Sequence, residues 1–153
     1  MDLIEAVNSR DEYKVAQAIQ SGSQIEIANE SGYTPIILAS LYGCTEIARL
    51  LIAAGANVNA ATKWGSTALS DAAKEGNSVI VQLLVDHGAN INSTEYDGYT
   101  PLIRAAMNGH ESVVSILLSK GADRQSLTKH GLTALDLASQ NRYQKIVDLL
   151  SGE

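Results

Sequence analysis

Three histidines and one cysteine are the side chains here best suited to covalent or metal chemistry: His87, His110, His130 and Cys44. A zinc site on one helix needs two histidines four residues apart, so that both reach the ion from a single face. His110-Glu111 begins such a pattern, but Val114 stands where the second histidine belongs, and His87 and His130 lie too far along the chain to join it. Neither a metal nor a cofactor is expected. A thiol nucleophile needs a neighbouring base, and the register around Cys44 offers none. No Gly-x-x-x-x-Gly-Lys phosphate loop and no Gly-x-Ser-x-Gly elbow occurs, so an enzyme is not expected. What remains is the chemistry of contact. The chain has six Tyr, one Trp and no Phe, and Tyr and Trp bury much area at low entropy cost and concentrate at binding hot spots.

The elements that must position those rings recur. A Gly-x-Thr step falls at Gly32, Gly65, Gly98 and Gly131, each 33 residues after the last, and Gly-Ala falls at Gly55, Gly88 and Gly121 with the same spacing. Gly22, followed by Ser23, fits the second series. Two glycine series locked at one period define a tandem repeat, whose units bury their apolar sides only by stacking on each other. Within one unit, Asn29-Glu30-Ser31-Gly32 reads as a tight turn. Thr34 is expected to cap a helix with Pro35 at its first position, where the missing N–H costs nothing. Ile36, Ala39 and Ser40 should face the stack, and Gly43 should end the helix. A return helix carries Ile47, Leu50, Leu51 and Ile52 and stops at Gly55. Across units, Ile36, Leu69, Leu102 and Leu135 form one row and Ala39, Ala72, Ala105 and Ala138 another. Both rows read as core, and the constant Ala implies close helix approach.

The 33-residue period, the Thr100-Pro101-Leu102 helix start and the closing Gly55-Ala56-Asn57 and Gly88-Ala89-Asn90 resemble the ankyrin repeat, across residues 1–153. The resemblance implies an all-α ankyrin-repeat solenoid of stacked helix pairs with β-turn or hairpin loops, in one domain. Its units would be an N-terminal cap at 1–28, full repeats at 29–61, 62–94 and 95–127, and a C-terminal cap at 128–153. Gln17-Ala18 stands where later units have paired leucines, and Gln140, Asn141, Arg142, Gln144 and Lys145 make the last unit polar, so the array is expected to be closed at both ends. The family usually places a His after Thr-Pro-Leu that clasps the Thr. Ile37, Ser70, Ile103 and Asp136 hold that place here, and some rigidity should be lost at the first helices of units two and four. His110 should open a second helix, with Cys44, Asn77 and Tyr143 as its equivalents.

In the ankyrin family the turn tips and the exposed side of the first helices form a concave binding face. Carried over position by position, that face comprises Tyr33, Trp64, Tyr96 and Tyr99 beside the turn glycines, Tyr42 late in a first helix, and Leu41, Lys74, Glu75, Asp97, Met107 and Asn108. Asn59 and Asn92 resemble asparagines that an asparaginyl hydroxylase modifies in animal ankyrin proteins; an Asn bonding its own loop backbone is the plainer reading.

Bulk properties agree with a binding role. At 153 residues and 16.2 kDa the chain is one domain's length. A net charge of −6 and a pI near 5.0 argue against nucleic acid. Residues 1–61 carry net −4, 62–127 net −2 and 128–153 net 0, which slightly favours a basic partner at the N-terminal half. No window reaches the roughly 18 apolar residues of a membrane span, the first residues lack a signal-peptide pattern, and a single Cys cannot form an internal disulfide. The expectation is a soluble cytoplasmic monomer. It should be a non-catalytic module that binds a folded protein through the concave face. A dedicated inhibitor or immunity protein using the same face, an engineered ankyrin binder and a structural spacer are the alternatives.

Overall fold

The computed structural model describes residues 1–152. Glycine at two phased positions cuts the chain into short helices that pair as hairpins: α1 (Leu3–Asn8) with α2 (Glu12–Gln20), α3 (Pro35–Leu41) with α4 (Thr45–Ala53), α5 (Ala68–Glu75) with α6 (Ser78–Asp86), α7 (Pro101–Met107) with α8 (Glu111–Ser119), and α9 (Ala134–Gln140) with α10 (Gln144–Ser151). No strand forms among the described residues; one antiparallel bridge, Ala61 to Thr67, marks a turn. Each helix is too short to persist alone in water, so packing between pairs holds the fold. Like helices stack on like: α3, α5, α7 and α9 form one layer and α4, α6, α8 and α10 the other, with the first layer more closely packed. Closer packing in the first layer bends such a stack towards the first helices, its inner side.

The core is a column of small and branched apolar side chains. Ala39, Ala72, Ala105 and Ala138 are fully buried, and Ile36, Leu69 and Leu102 are buried beside them. Leu135, their counterpart in the last unit, is only half-buried, because no further unit among the described residues covers it. On the return helices Ile47, Leu51, Ile80, Leu84, Val114, Leu117 and Ile146 continue the core, while Leu50 and Ile52 are partly covered. The first unit closes with Leu3, Ala6, Val7 and Val15 inward and Gln17 exposed.

The helix starts show where a missing clasp matters. Thr67 and Ser70 form a reciprocal box, with the Thr67 N–H donating to Ser70 Oγ at 2.8 Å and the Ser70 N–H to Thr67 Oγ1 at 3.2 Å. Thr133 and Asp136 do the same at 2.8 and 3.2 Å. Ser70 and Asp136 thus supply the clasp that the two isoleucines cannot. The expectation for units two and four divides: Thr100 Oγ1 still accepts from the Ile103 N–H at 3.2 Å, whereas Thr34 makes no cap bond. Thr34 is the residue before Pro35, as its position requires, but its Oγ1 is buried without a partner. Thr34 thus holds the N-cap position as expected, but without a side-chain bond.

Successive turns are tied by one backbone bond each: Lys63 N–H to the Ser31 carbonyl at 3.1 Å, Tyr96 N–H to Trp64 at 3.1 Å, and Lys129 N–H to Asp97 at 2.9 Å. This close approach explains Gly98. Its φ is +84°, and an added Cβ would come within 2.8 Å of the Leu127 carbonyl oxygen of the next turn.

Candidate functional site

The residues assigned to the face fall on the turn tips and the inner helix layer, but in two states. Trp64 and Tyr96 stand out into solvent at 54% and 81% exposure. Tyr33, Tyr42 and Tyr99 are half-buried and already engaged. The Tyr33 ring lies tilted against Trp64 with centroids 6.5 Å apart. Arg10 sits over the Tyr42 ring at 4.8 Å while the Tyr42 hydroxyl donates to Asn8 at 3.2 Å, and Arg104 sits over the Tyr99 ring at 4.1 Å. Burial, then the nearby carboxyls of Asp71 and Glu95, raises the Tyr33 hydroxyl above its ordinary pKa. Leu41, Asp97 and Met107 are half-buried, and Lys74, Glu75 and Asn108 are exposed where α5 and α7 end. Asn108 turns back to donate to the Arg104 carbonyl at 2.7 Å. Aromatic exposure is not confined to this face: Tyr13 on α2 is 70% exposed and Tyr143 is partly exposed.

Four charged residues that sequence reading left out lie beside these positions. Arg104 donates through Nε to Glu95 Oε1 at 3.0 Å and through Nη2 to Oε2. This bidentate pair raises the Arg104 pKa further, although burial opposes it. Asp71 is 5% exposed; its Oδ1 accepts from Ser66 Oγ at 2.8 Å and its Oδ2 has no partner. Lys129 stands at the fourth turn tip. The signal that could have found the buried pair is a row: Leu38, Asp71, Arg104 and Leu137 recur at the 33-residue spacing, and two charges interrupt a leucine position. Trp64, Tyr96, Asp97, Glu95, Arg104 and Lys129 together line a cleft of about 370 Å³ between the second, third and fourth turn tips.

The remaining candidates hold structural posts. Cys44, Asn77, His110 and Tyr143 precede the four later return helices. His110 Nε2 lies 2.8 Å from the Lys74 carbonyl, and Asn77 donates to the Ser40 carbonyl at 3.0 Å, so each reaches back to the preceding unit. Burial raises the Cys44 thiol pKa above its ordinary value, which works against thiolate chemistry. No group of three or more His, Cys, Asp or Glu side chains able to hold a metal occurs among the described residues. Asn59 and Asn92 bond the next loop rather than their own: Asn59 Oδ1 accepts from the Asn90 N–H at 2.7 Å and Asn92 Oδ1 from the Asp123 N–H at 2.9 Å. Glu26 makes the same bridge to the Asn57 N–H at 2.7 Å.

Stacked helix pairs of one period, tied turn to turn and loop to loop, define a tandem-repeat solenoid. A family model described as ankyrin repeats, in three copies, matches residues 3–95 and 92–153, and the chain belongs to the ankyrin repeat family. Ankyrin repeats are in general protein–protein interaction modules and typically non-catalytic scaffolds. No curated protein matches the chain. No helix among the described residues is long and apolar enough to cross a membrane.

Proposed function

We propose that this chain is a non-catalytic recognition module that binds a folded protein partner with the concave face of its turn tips and first helices. The observation that carries the reading is the exposure of Trp64 and Tyr96 beside one cleft. Large rings held in water are costly unless another surface covers them, and neighbouring tyrosines are already covered from within the chain. Tyr33 backs the Trp64 ring, with centroids 6.5 Å apart, so less freedom of that ring is lost on contact.

The test is affinity capture from the native host, with wild type beside a Trp64→Ala/Tyr96→Ala variant and a Tyr13→Ala control on α2. A protein held by the wild type and the control but lost by the double variant, with a loss of at least about 30-fold in affinity, identifies the interface. Equal retention by all three places binding elsewhere and removes this face as the site. Stoichiometric loss of the captured partner's own activity would mark the inhibitor form of the same interaction.

A further inference from the structure

The fourth unit departs from its own repeat where the cleft forms. Asn29, Thr62 and Thr128 each use a side-chain oxygen to accept backbone N–H groups of their own turn, at 3.0 Å for Asn29 to Ser31 and Tyr33, and 3.1–3.3 Å for the threonines. Glu95 holds that position in the fourth unit and spends both oxygens on Arg104 instead. Arg104 in turn replaces the leucine seen at positions 38 and 137. The unit thus gives up a turn brace and an apolar core contact to fix a charge pair as the floor between the Trp64 and Tyr96 tips.

We propose that this cleft receives an arginine side chain from the protein partner, the guanidinium lying against Trp64 and Tyr96 and pairing with the Asp97 carboxylate. The proposal rests on the concave-face reading above and specifies what that face grips. Four charges line the cleft, and their states differ. Arg104 spends both of its side-chain hydrogen bonds on Glu95 and acts on Asp97 only through space. Lys129 is exposed, its ammonium on a flexible stem in water, and so is a weak fixed charge. Asp97 is half-buried, its backbone held by the Lys129 N–H at 2.9 Å, and its carboxylate makes no side-chain hydrogen bond or ion pair among the described residues. The anchored and unsatisfied charge is therefore negative. Ring faces are also electron-rich and attract cations. A guanidinium can lie flat on a ring and still present a two-pronged donor edge to a carboxylate, which an ammonium cannot. The same contact occurs twice within the chain, Arg104 on Tyr99 and Arg10 on Tyr42. The overall charge of −6 adds attraction at long range.

The probe is N-acetyl-arginine amide, with N-acetyl-citrulline amide as its uncharged near-isostere and N-acetyl-glutamate amide as its opposite. Each is titrated into isotope-labelled protein and followed by amide and indole shifts, Trp64 being the sole Trp. The expected result is a saturable millimolar response confined to the Trp64 indole N–H and the Tyr96 and Asp97 amides. Citrulline should bind at least about threefold more weakly, and the glutamate compound should produce no confined shift. Asp97→Asn should weaken the arginine compound about three- to fivefold, the range of one exposed charge pair, and Trp64→Ala should abolish the Tyr96 response in a protein whose other shifts are unchanged. An equal response to citrulline, a stronger response to glutamate, shifts spread over the surface, or no confined response overturns the arginine site. In each of those cases, a partner still lost by Trp64→Ala/Tyr96→Ala in the capture experiment leaves the interface itself standing.

Discussion

Asp71 occupies a costly position. It sits 5% exposed in a row that is leucine at positions 38 and 137, with one oxygen satisfied by Ser66 and the other by nothing. Burial pushes its carboxyl up to about 6. The Ser66 bond opposes that rise, Glu95 adds to it, and Lys74 and Arg104 pull it down. A folded pKa above the unfolded value of about 3.9 means that the folded chain holds the proton more tightly. Ionisation therefore opposes folding above pH 6, and the penalty is relieved as pH falls from about 7 towards 4. Its full size is on the order of 3 kcal/mol. Asp123 and Asp136 carry carboxyls held below the ordinary range by hydrogen bonds to Gln125 and Thr133, so their stabilisation fades only below about pH 4 and leaves this window clear. Urea unfolding should show wild type gaining stability from pH 8 to pH 5 relative to Asp71→Asn. Asp71→Leu should be about 1–3 kcal/mol more stable than wild type at pH 8. A constant difference between wild type and Asp71→Asn over that interval would remove the argument.

At the scale of the helix, four equivalent starts make an internal comparison. Thr67 and Thr133 have reciprocal boxes, Thr100 has one bond, and Thr34 has none. Thr67→Ala should cost about 1 kcal/mol in thermal unfolding, the usual worth of a capping side chain. Thr34→Val should cost nothing or stabilise, because it replaces a buried hydroxyl that has no partner with a methyl of the same shape. In hydrogen exchange the first turn of α3 should open before that of α5. A loss at Thr34 equal to the loss at Thr67 would show that the boxes contribute little. Residue type made this contrast legible beforehand: Ser70 and Asp136 carry acceptors within reach of the preceding Thr, and Ile37 and Ile103 do not. The period of 33 likewise made the helix pairs and, Leu135 apart, the core rows legible, because stacking demands similar side-chain size at each repeat. The site was legible only in outline. Type and position place Tyr42 and Tyr99 on the inner side, but their cover comes from Arg10 and Arg104, contacts made in space that no local spacing rule predicts. The Glu95–Arg104 pair joins a turn to the helix after it, and the bridges of Asn59 and Asn92 run forward into the next loop.

Across the whole molecule, stability is a sum of units and of the interfaces between neighbours, and one row shows how an interface is built. Asn77, His110 and Tyr143 each lie over a glycine of the preceding unit, at Gly43, Gly76 and Gly109. Gly76 is the tightest case: its φ is +80°, and a Cβ would come within 2.5 Å of the His110 ring. The same row holds Arg10 at φ +55° and Arg142 at φ +61°. The residue over Arg10 is the small Cys44, and no described unit follows Arg142, so a Cβ is tolerated at both. Gly76→Ala should therefore destabilise by more than about 2 kcal/mol, combining left-handed strain with displacement of His110. The damage falls on the junction between residues 62–94 and 95–127, so it should also uncouple the two sides of the array. Trp64 emission reports the N-terminal side of that junction, and far-UV circular dichroism reports all helices. In wild type the two should trace one denaturant transition; in Gly76→Ala they should separate, because nearest-neighbour coupling is what makes the stack unfold as one. Adding His110→Ala relieves the clash, leaving about 1 kcal/mol for a left-handed Ala, but also removes the 2.8 Å contact of His110 with the Lys74 carbonyl. The double variant should therefore regain part of the lost stability while the transitions stay apart. Coincident transitions in Gly76→Ala would mean that coupling passes instead through the turn-to-turn bonds and the Asn bridges.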